Sequence, residues 1–478
     1  MKIHMCQLSK KASLIRLTTG LIMLTGTTPA IASVAKDKPS KPNLILINID
    51  DMGWRDVGFM GSEYYETTNI DALARKGMIF TNAYAAAANC APSRACMLSG
   101  QWTPRHGIYT VDNSDRGKSK DRKLIPTPNT VTLADNVLVI PELLKGAGYT
   151  TCHAGKWHLT DDPLQRGFDV NIGGCHAGNP GSYYPPYKNV PLDAPSAEYY
   201  LTNLIMDKTL DFVRSVQKKP FFLYYAPYAV HTPIQPVKSL LPKYENKAGW
   251  NGQNNAEYAT MVENVDTQIG RLIDLLESSG KLDNTFILFT SDNGGVYEIT
   301  KQWPLRAGKG SAYEGGIREP MFAFWKGKIA SGTKSEVPVT NIDFFPTILE
   351  VAGIKPPAGK ILDGQSILPL LTGKGTIEER PLFWHFPIYL EGGNIETQDP
   401  IFRTRPGSAI RLGDWKLIQY FENGDLELYN LKEDIGEKNN LAKSNPKKTQ
   451  ELLGLLEKWR KETNAPVPTE LNPDYIEK

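Results

Sequence analysis

The chain has 478 residues, 41% of them hydrophobic and 22% charged, with five cysteines and a formal net charge of +2. That balance excludes a disulfide-built scaffold and gives no basic field that would make nucleic acid a general partner. The length exceeds what one core usually fills, so one large domain and a smaller one are expected.

Residues 1–32 carry Lys2, Lys10, Lys11 and Arg16 without an acid, then an apolar stretch around Leu21 to Leu24, then Ala30-Ile31-Ala32. This order reads as a signal peptide with a small-residue cleavage site, which places the mature protein in a periplasm or outside the cell. The alternative is a membrane anchor, but Thr and Gly break the apolar part, and it is far shorter than the roughly 20 residues a spanning helix needs. No stable anchor is expected. Removing the segment takes the net charge from +2 to −2 and leaves cysteines at 90, 96, 152 and 175.

The main domain is expected over residues 42–374. Residues 44–49 (LILINI), 220–226 (PFFLYYA) and 286–290 (FILFT) are short, largely apolar runs of the kind that form strands buried on both faces of a parallel sheet. Between them, apolar residues recur at three and four over 69–77, 140–147, 200–216 and 256–279, which predicts helices. Alternating strands and helices give an α/β layered domain. After about residue 375 the pattern changes. Short β-like runs at 409–412, 415–421 and 426–429 are split by Gly-Asp and Asn-Gly-Asp turns, and a helix is expected near 447–463. Residues 375–478 therefore read as a small antiparallel sheet with a helix, packed on the main domain.

The first and last of the three apolar runs stop on hard oxygen donors, Asp50-Asp51 and Asp292-Asn293. Ligands in open α/β sheets sit beyond the carboxyl ends of the strands, where these four side chains can converge. Crowded carboxylates repel unless a cation lies among them, and an all-oxygen set favours Ca²⁺ or Mg²⁺ over zinc. A lone Asp-Asp pair would fit a turn or helix cap equally well; the repetition of the pattern favours a metal.

Cationic groups follow the same logic. Lys156 and His158 come after a β-like piece at 149–153, His231 follows the run at 220–226, and Lys309 lies in a Gly-rich loop. With Arg94, they would bind an anionic group and supply an acid for its leaving oxygen. Singly, each histidine fits a structural role; together they imply an anionic ester. Cys90 precedes Ala91-Pro92-Ser93, which reads as the entry to a helix, where an anion is favoured. A plain thiol there would be oxidised in an exported protein.

The stretch CAPSRACMLSG at 90–100 resembles the Cys-x-Pro-Ser-Arg sequence of the type I sulfatases, whose cysteine is oxidised to formylglycine (3-oxoalanine). INIDDMGW, GKWHL, RGFD, HTP, FTSDNGG, LRAGKGSAYEGGIREP, LFWHFP and LYNLKEDIGEKNNLA extend the resemblance, in order, over nearly the whole mature chain. The resemblance implies an alkaline-phosphatase-like fold, in which a large, mixed, mostly parallel sheet lies between helices, plus a smaller C-terminal α+β domain. It implies that a maturation enzyme converts Cys90, and that Asp50, Asp51, Asp292 and Asn293, with the converted Cys90, hold one Ca²⁺. It assigns Arg94 and Lys156 to the nucleophilic hydrate, His231 and Lys309 to the sulfate and its leaving oxygen, and His158 to the base that releases sulfate. Ala307 stands where related chains often have Gly, a mild departure. A further polar contact falls to His176, Asn179 or Ser182, which stay open.

The implied substrate is a sulfated polysaccharide or its oligosaccharides. Residues 172–187, rich in Gly, Pro and Tyr, read as a recognition loop over the site. Tyr183, Tyr184, Tyr187, Trp102 and Trp303 are candidates to stack on sugars, with core packing as the alternative for each. His106, His176, Arg306 and His385, with Arg105, are candidate substrate contacts. Cys96 and Cys152 are expected to be small buried hydrophobes; a bridge between Cys152 and Cys175 stays open. Two rival functions are a formylglycine-dependent phosphonate or phosphate ester hydrolase and an inactive glycan-binding homologue.

Overall fold

The computed structural model describes residues 41–217 and 219–477; the expected signal peptide at 1–32 lies outside them. From Lys41 onward the chain forms one compact unit, so the expected 42–374 and 375–478 regions belong to a single body.

Eight strands make the large sheet: β1 (Asn43–Ile49), β2 (Met78–Phe80), β3 (Thr150–Gly155), β4 (Val170–Ile172), β5 (Phe221–Ala226), β6 (Thr285–Ser291), β7 (Met321–Trp325) and β8 (Thr333–Ser335). Their order is β4-β3-β5-β1-β6-β7-β2-β8. β7 alone runs against its neighbours β6 and β2, so the sheet is mixed but mostly parallel. The predicted runs at 44–49, 220–226 and 286–290 fall on β1, β5 and β6, and these are buried on both faces. Ile45, Ile47 and Ile49 pack with the helices Leu201–Ser215 and Ala256–Ser278, while Leu44 and Leu46 pack on the other face with the helix Phe344–Ala352. Such two-sided burial is why these segments read as continuous apolar runs.

Sheet order decides where the chemistry lies. β3, β5, β1 and β6 are consecutive and parallel, so their carboxyl ends open on one side. β1 and β6 pair from Asn43↔Thr285 to Ile49↔Ser291, and their next residues are Asp50 and Asp292.

The second sheet contains Leu382–Phe386, Gly407–Leu412, Trp415–Tyr420 and Leu426–Asn430, consecutive and antiparallel. The helix Pro446–Thr463 covers it; Trp459 stacks on Phe383 at 4.5 Å between ring centroids. A buried ion network joins this sheet to the loop that carries Lys309: Lys416 lies 3.0 Å from Glu314 and 2.8 Å from Glu437. Among the described residues, no helix is long and apolar enough to cross a membrane. Cys90, Cys96, Cys152 and Cys175 are all free thiols, so no bridge joins Cys152 to Cys175; Cys96 and Cys152 are buried.

Candidate active site

Cys90 is the first residue of the helix Cys90–Ser99, with Pro92 in the first turn, where no intrahelical N–H is required. It is 2% exposed, and the Lys309 ammonium lies 3.7 Å from its sulfur. The same ammonium donates to both carboxylate oxygens of Asp51, at 2.6 and 2.8 Å. Lys156 donates to both oxygens of Asp50 at 2.8 Å. Arg94, one helical turn after Cys90, donates from Nε to Asp292 at 2.8 Å and from Nη1 to the Lys156 carbonyl at 2.8 Å. His231 Nε2 lies 3.6 Å from Asp51. The structure thus brings Cys90, Arg94, Lys156, His231 and Lys309 together with the acidic residues.

Electrostatics follow from burial. Asp50, Asp51 and Asp292 offer oxygens within 4.8 Å of one another. Burial pushes the Asp50 carboxyl up to about 7, against the pull of Lys156. Burial also raises Asp51, but Lys309 and His231 outweigh it and hold Asp51 below the usual carboxylate range. Burial would raise the Cys90 thiol, yet Lys156 and Lys309 bring it well below its ordinary value. Burial lowers His158. His231 is raised, because Asp51 overcomes its desolvation.

Oxygen donors suit a hard cation. Asn293 gives its Nδ2 to Asp51 at 2.8 Å, while its buried Oδ1 has no hydrogen-bond partner. A buried amide oxygen without a donor, next to three carboxylates, fits Ca²⁺, which binds carboxylates and amide oxygens.

Three non-glycine residues here have left-handed backbone: Asp51 (φ 60°), His158 (φ 65°) and Ala307 (φ 58°). Strain of this kind gathers at functional sites, and the backbone at Ala307 is one that suits Gly. Lys309 is nonetheless held, its N–H donating to the Gly295 carbonyl at 2.9 Å.

Access is one-sided. The side chains of Arg94, Asp50, Lys156 and Asp292 are 0% exposed, whereas those of Lys309 and His231 are 13% and 15% exposed. An anion would therefore approach past Lys309 and His231.

Several expected substrate contacts are committed elsewhere. His106 is buried with Nε2 3.4 Å from the Cys96 sulfur. His385 is buried between the Ser408 hydroxyl (2.7 Å) and the Pro466 carbonyl (2.9 Å). Arg306 donates to the carbonyls of Glu396 and Glu437 and to the Tyr429 hydroxyl. Arg105 is paired with Asp363. Trp102, Tyr183 and Tyr187 are buried in core packing rather than presented to a sugar. His176 stays close, its ring 6.2 Å from that of His158, with Nε2 3.1 Å from the Val131 carbonyl. Asn179 accepts from the Gly181 N–H, and Ser182 donates to the Tyr184 carbonyl, both within the 172–187 loop.

Asp56 is a residue that sequence reasoning missed. It accepts from Gly53 N–H, Tyr258, Thr300 and Gln302 and so folds the turn after Asp51. Its side-chain partners Tyr258, Thr300 and Gln302 lie 202, 244 and 246 residues away, so no local pattern marks it.

Comparison with known proteins identifies the fold and its chemistry. The sulfatase family model matches residues 42–354, and the model for the C-terminal region of N-sulphoglucosamine sulphohydrolase matches 308–463. The chain is 35% identical over 384 residues to N-acetylgalactosamine-6-sulfatase of Rattus norvegicus, covering 74% of this chain and 70% of that protein. It is 32% identical to a sulfatase of Formosa agariphila, with 92% of each covered. The crystal structure of Ps i-CgsB in complex with k-i-k-neocarrahexaose superposes with a TM-score of 0.75 at 31% identity, covering 91% of this chain and 95% of that one. With Arg94, Lys156, His231 and Lys309 gathered at the carboxyl ends of a mostly parallel sheet, and these relatives, the chain belongs to the sulfatase family and is a sulfuric ester hydrolase.

Proposed function

We propose that this sulfatase is an exported enzyme that removes sulfate from a sulfated polysaccharide or its oligosaccharides, with Cys90 converted to formylglycine by a maturation enzyme. The observation that carries the reading is the Lys309 ammonium set between Asp51 and the Cys90 sulfur, beside the partly open His231. Support for the substrate class comes from relatives: one is named for N-acetylgalactosamine 6-sulfate, and another is bound to a neocarrahexaose.

Asp50, Asp51, Asp292 and Asn293 would hold Ca²⁺, which would supply Lewis-acid polarisation and a fixed template. Formylglycine at position 90 would supply a hydrated aldehyde as the nucleophile. The chain's own groups set up that chemistry. Arg94 and Lys156 fix the acidic cluster behind Cys90 through Asp292 and Asp50. Lys309 balances the negative charge of the entering sulfate. His231, on the open side with a raised pKa, holds the proton that the departing sugar oxygen needs. His158, lowered by burial and in hydrogen-bond contact with Cys90, would be the base that releases sulfate.

The test is sulfate release from a panel of sulfated oligosaccharides and from p-nitrophenyl sulfate, with p-nitrophenyl phosphate as control, for wild type and Cys90→Ala. Sulfate release by the wild type alone is expected. Preference for the phosphate ester, or undiminished turnover by Cys90→Ala, would overturn the reading.

A further inference from the structure

The loop between β6 and Lys309 does more than carry that lysine. Its inner end closes on itself where the Lys309 N–H meets the Gly295 carbonyl, and Tyr297 packs against Gly308, where an added Cβ would lie 3.0 Å from the Tyr297 nitrogen. Its outer turn presents Trp303, 55% exposed, opposite Ile395, 83% exposed. Between them lies a cleft of about 430 Å³ whose walls include Tyr297, Lys301 and Lys438. That volume is within the roughly 300–1,000 Å³ usual for ligand sites.

The exposed indole is held in place. Arg55 donates to the Trp303 carbonyl at 2.9 Å, and its guanidinium lies 5.6 Å from the Trp303 ring and 5.0 Å from the Trp250 ring. A fixed, solvent-facing aromatic loses little conformational entropy when a ligand covers it, and an aromatic face suits the apolar face of a sugar ring. Arg306 forms part of the floor, and the two acids that line the cleft are both engaged, Glu396 by the Tyr297 hydroxyl at 3.1 Å and Glu437 by Lys416 at 2.8 Å. Exposed Lys438 adds a cation at the rim.

We propose that this cleft is a second carbohydrate subsite. It binds a neighbouring, anionic sugar of the same chain whose sulfate ester lies at Cys90, with Trp303 stacking on the ring and Lys438 facing its charge. The inference rests on the glycan reading above. It adds a site outside the catalytic pocket, reached along the one loop that carries both Lys309 and Trp303.

Trp303→Ala and Lys438→Glu are suitable variants, since both side chains are exposed and outside the catalytic machinery. Turnover is compared on p-nitrophenyl sulfate, N-acetylgalactosamine 6-sulfate and two hexasaccharides, neocarrahexaose and chondroitin 6-sulfate hexasaccharide. Calorimetric binding of the hexasaccharides is measured in a Cys90→Ala background. For at least one hexasaccharide, Trp303→Ala is expected to raise KM and weaken binding about tenfold, with kcat and both small esters unchanged. Lys438→Glu should weaken the same hexasaccharide by a smaller factor. Equal loss on the small esters, or no loss on either hexasaccharide, would overturn the subsite, as would binding of neither hexasaccharide. A wild type that binds a hexasaccharide through Trp303 but releases no sulfate would refute the catalytic reading and leave the subsite standing.

Discussion

The hydroxyl of Tyr183 lies 2.9 Å from the carbonyl oxygen of His231 and donates to the Tyr228 carbonyl at 2.6 Å, so one buried phenol pins the turn that carries the histidine. The ring itself is locked by stacking on Tyr200 at 5.5 Å. Tyr183→Phe should keep the ring packing and loosen the turn. Sulfate release from sugars is expected to fall about tenfold, and release from p-nitrophenyl sulfate much less, because acid assistance matters most for a basic leaving oxygen. His231→Ala should show the same bias with a loss of about 10²-fold or more. Equal losses on both substrates, read from kcat/KM, would remove His231 from the acid role.

Metal removal tests the oxygen cluster. Asp50, Asp51 and Asp292 gather buried oxygens within 4.8 Å beside the unpartnered Asn293 Oδ1, a donor set that a bound cation would fill and stabilise. Chelation should lower both activity and Tm, and added Ca²⁺ should restore both; a saturating ion stabilises by about 2.7 kcal/mol at a hundredfold excess over Kd. Activity and Tm indifferent to exhaustive chelation would count against a calcium site.

Acid stability tests the buried histidines. Burial lowers His106, His153 and His385 each to about 3, from an unfolded value near 6.5. The unfolded chain therefore binds more protons in this window, and the stability these groups contribute is complete above pH 6.5 and lost as pH falls toward 3. At pH 5 each costs about 2 kcal/mol. His385→Gln should shrink the difference in unfolding free energy between pH 7.5 and pH 5 by about that amount, measured by urea denaturation. An unchanged difference would show that His385 titrates normally in the fold.

Ala307 holds φ 58° next to the Lys309 loop. Ala307→Gly should relieve a steric cost of about 1 kcal/mol, partly offset by the added freedom of glycine in the unfolded chain. A small rise in Tm is expected; a clear fall would show that the Ala methyl packs favourably there.

Much of this was legible in the sequence where a local pattern maps directly onto a strand end. The runs at 44–49 and 286–290 marked β1 and β6, and the hard donors just beyond them emerged side by side because those strands pair in register. The family resemblance supplied the roles around Cys90, and the structure places Arg94, Lys156 and Lys309 on the acids in that pocket. Long-range polar commitments were hidden. His385 and Arg306 look like ligands in one dimension, but their partners, Pro466 and Glu437, lie 81 and 131 residues away. Short strands such as β2 and β8, three residues each, carry too little periodicity to detect.

The most direct measurement of the central claim is the mass of the proteolytic peptide containing residue 90, from protein made in a host with a formylglycine-generating enzyme, alongside its rate of sulfate release. The account predicts formylglycine at position 90, in a fraction that rises in step with the specific activity across preparations. Full activity with unmodified cysteine at that position would contradict it.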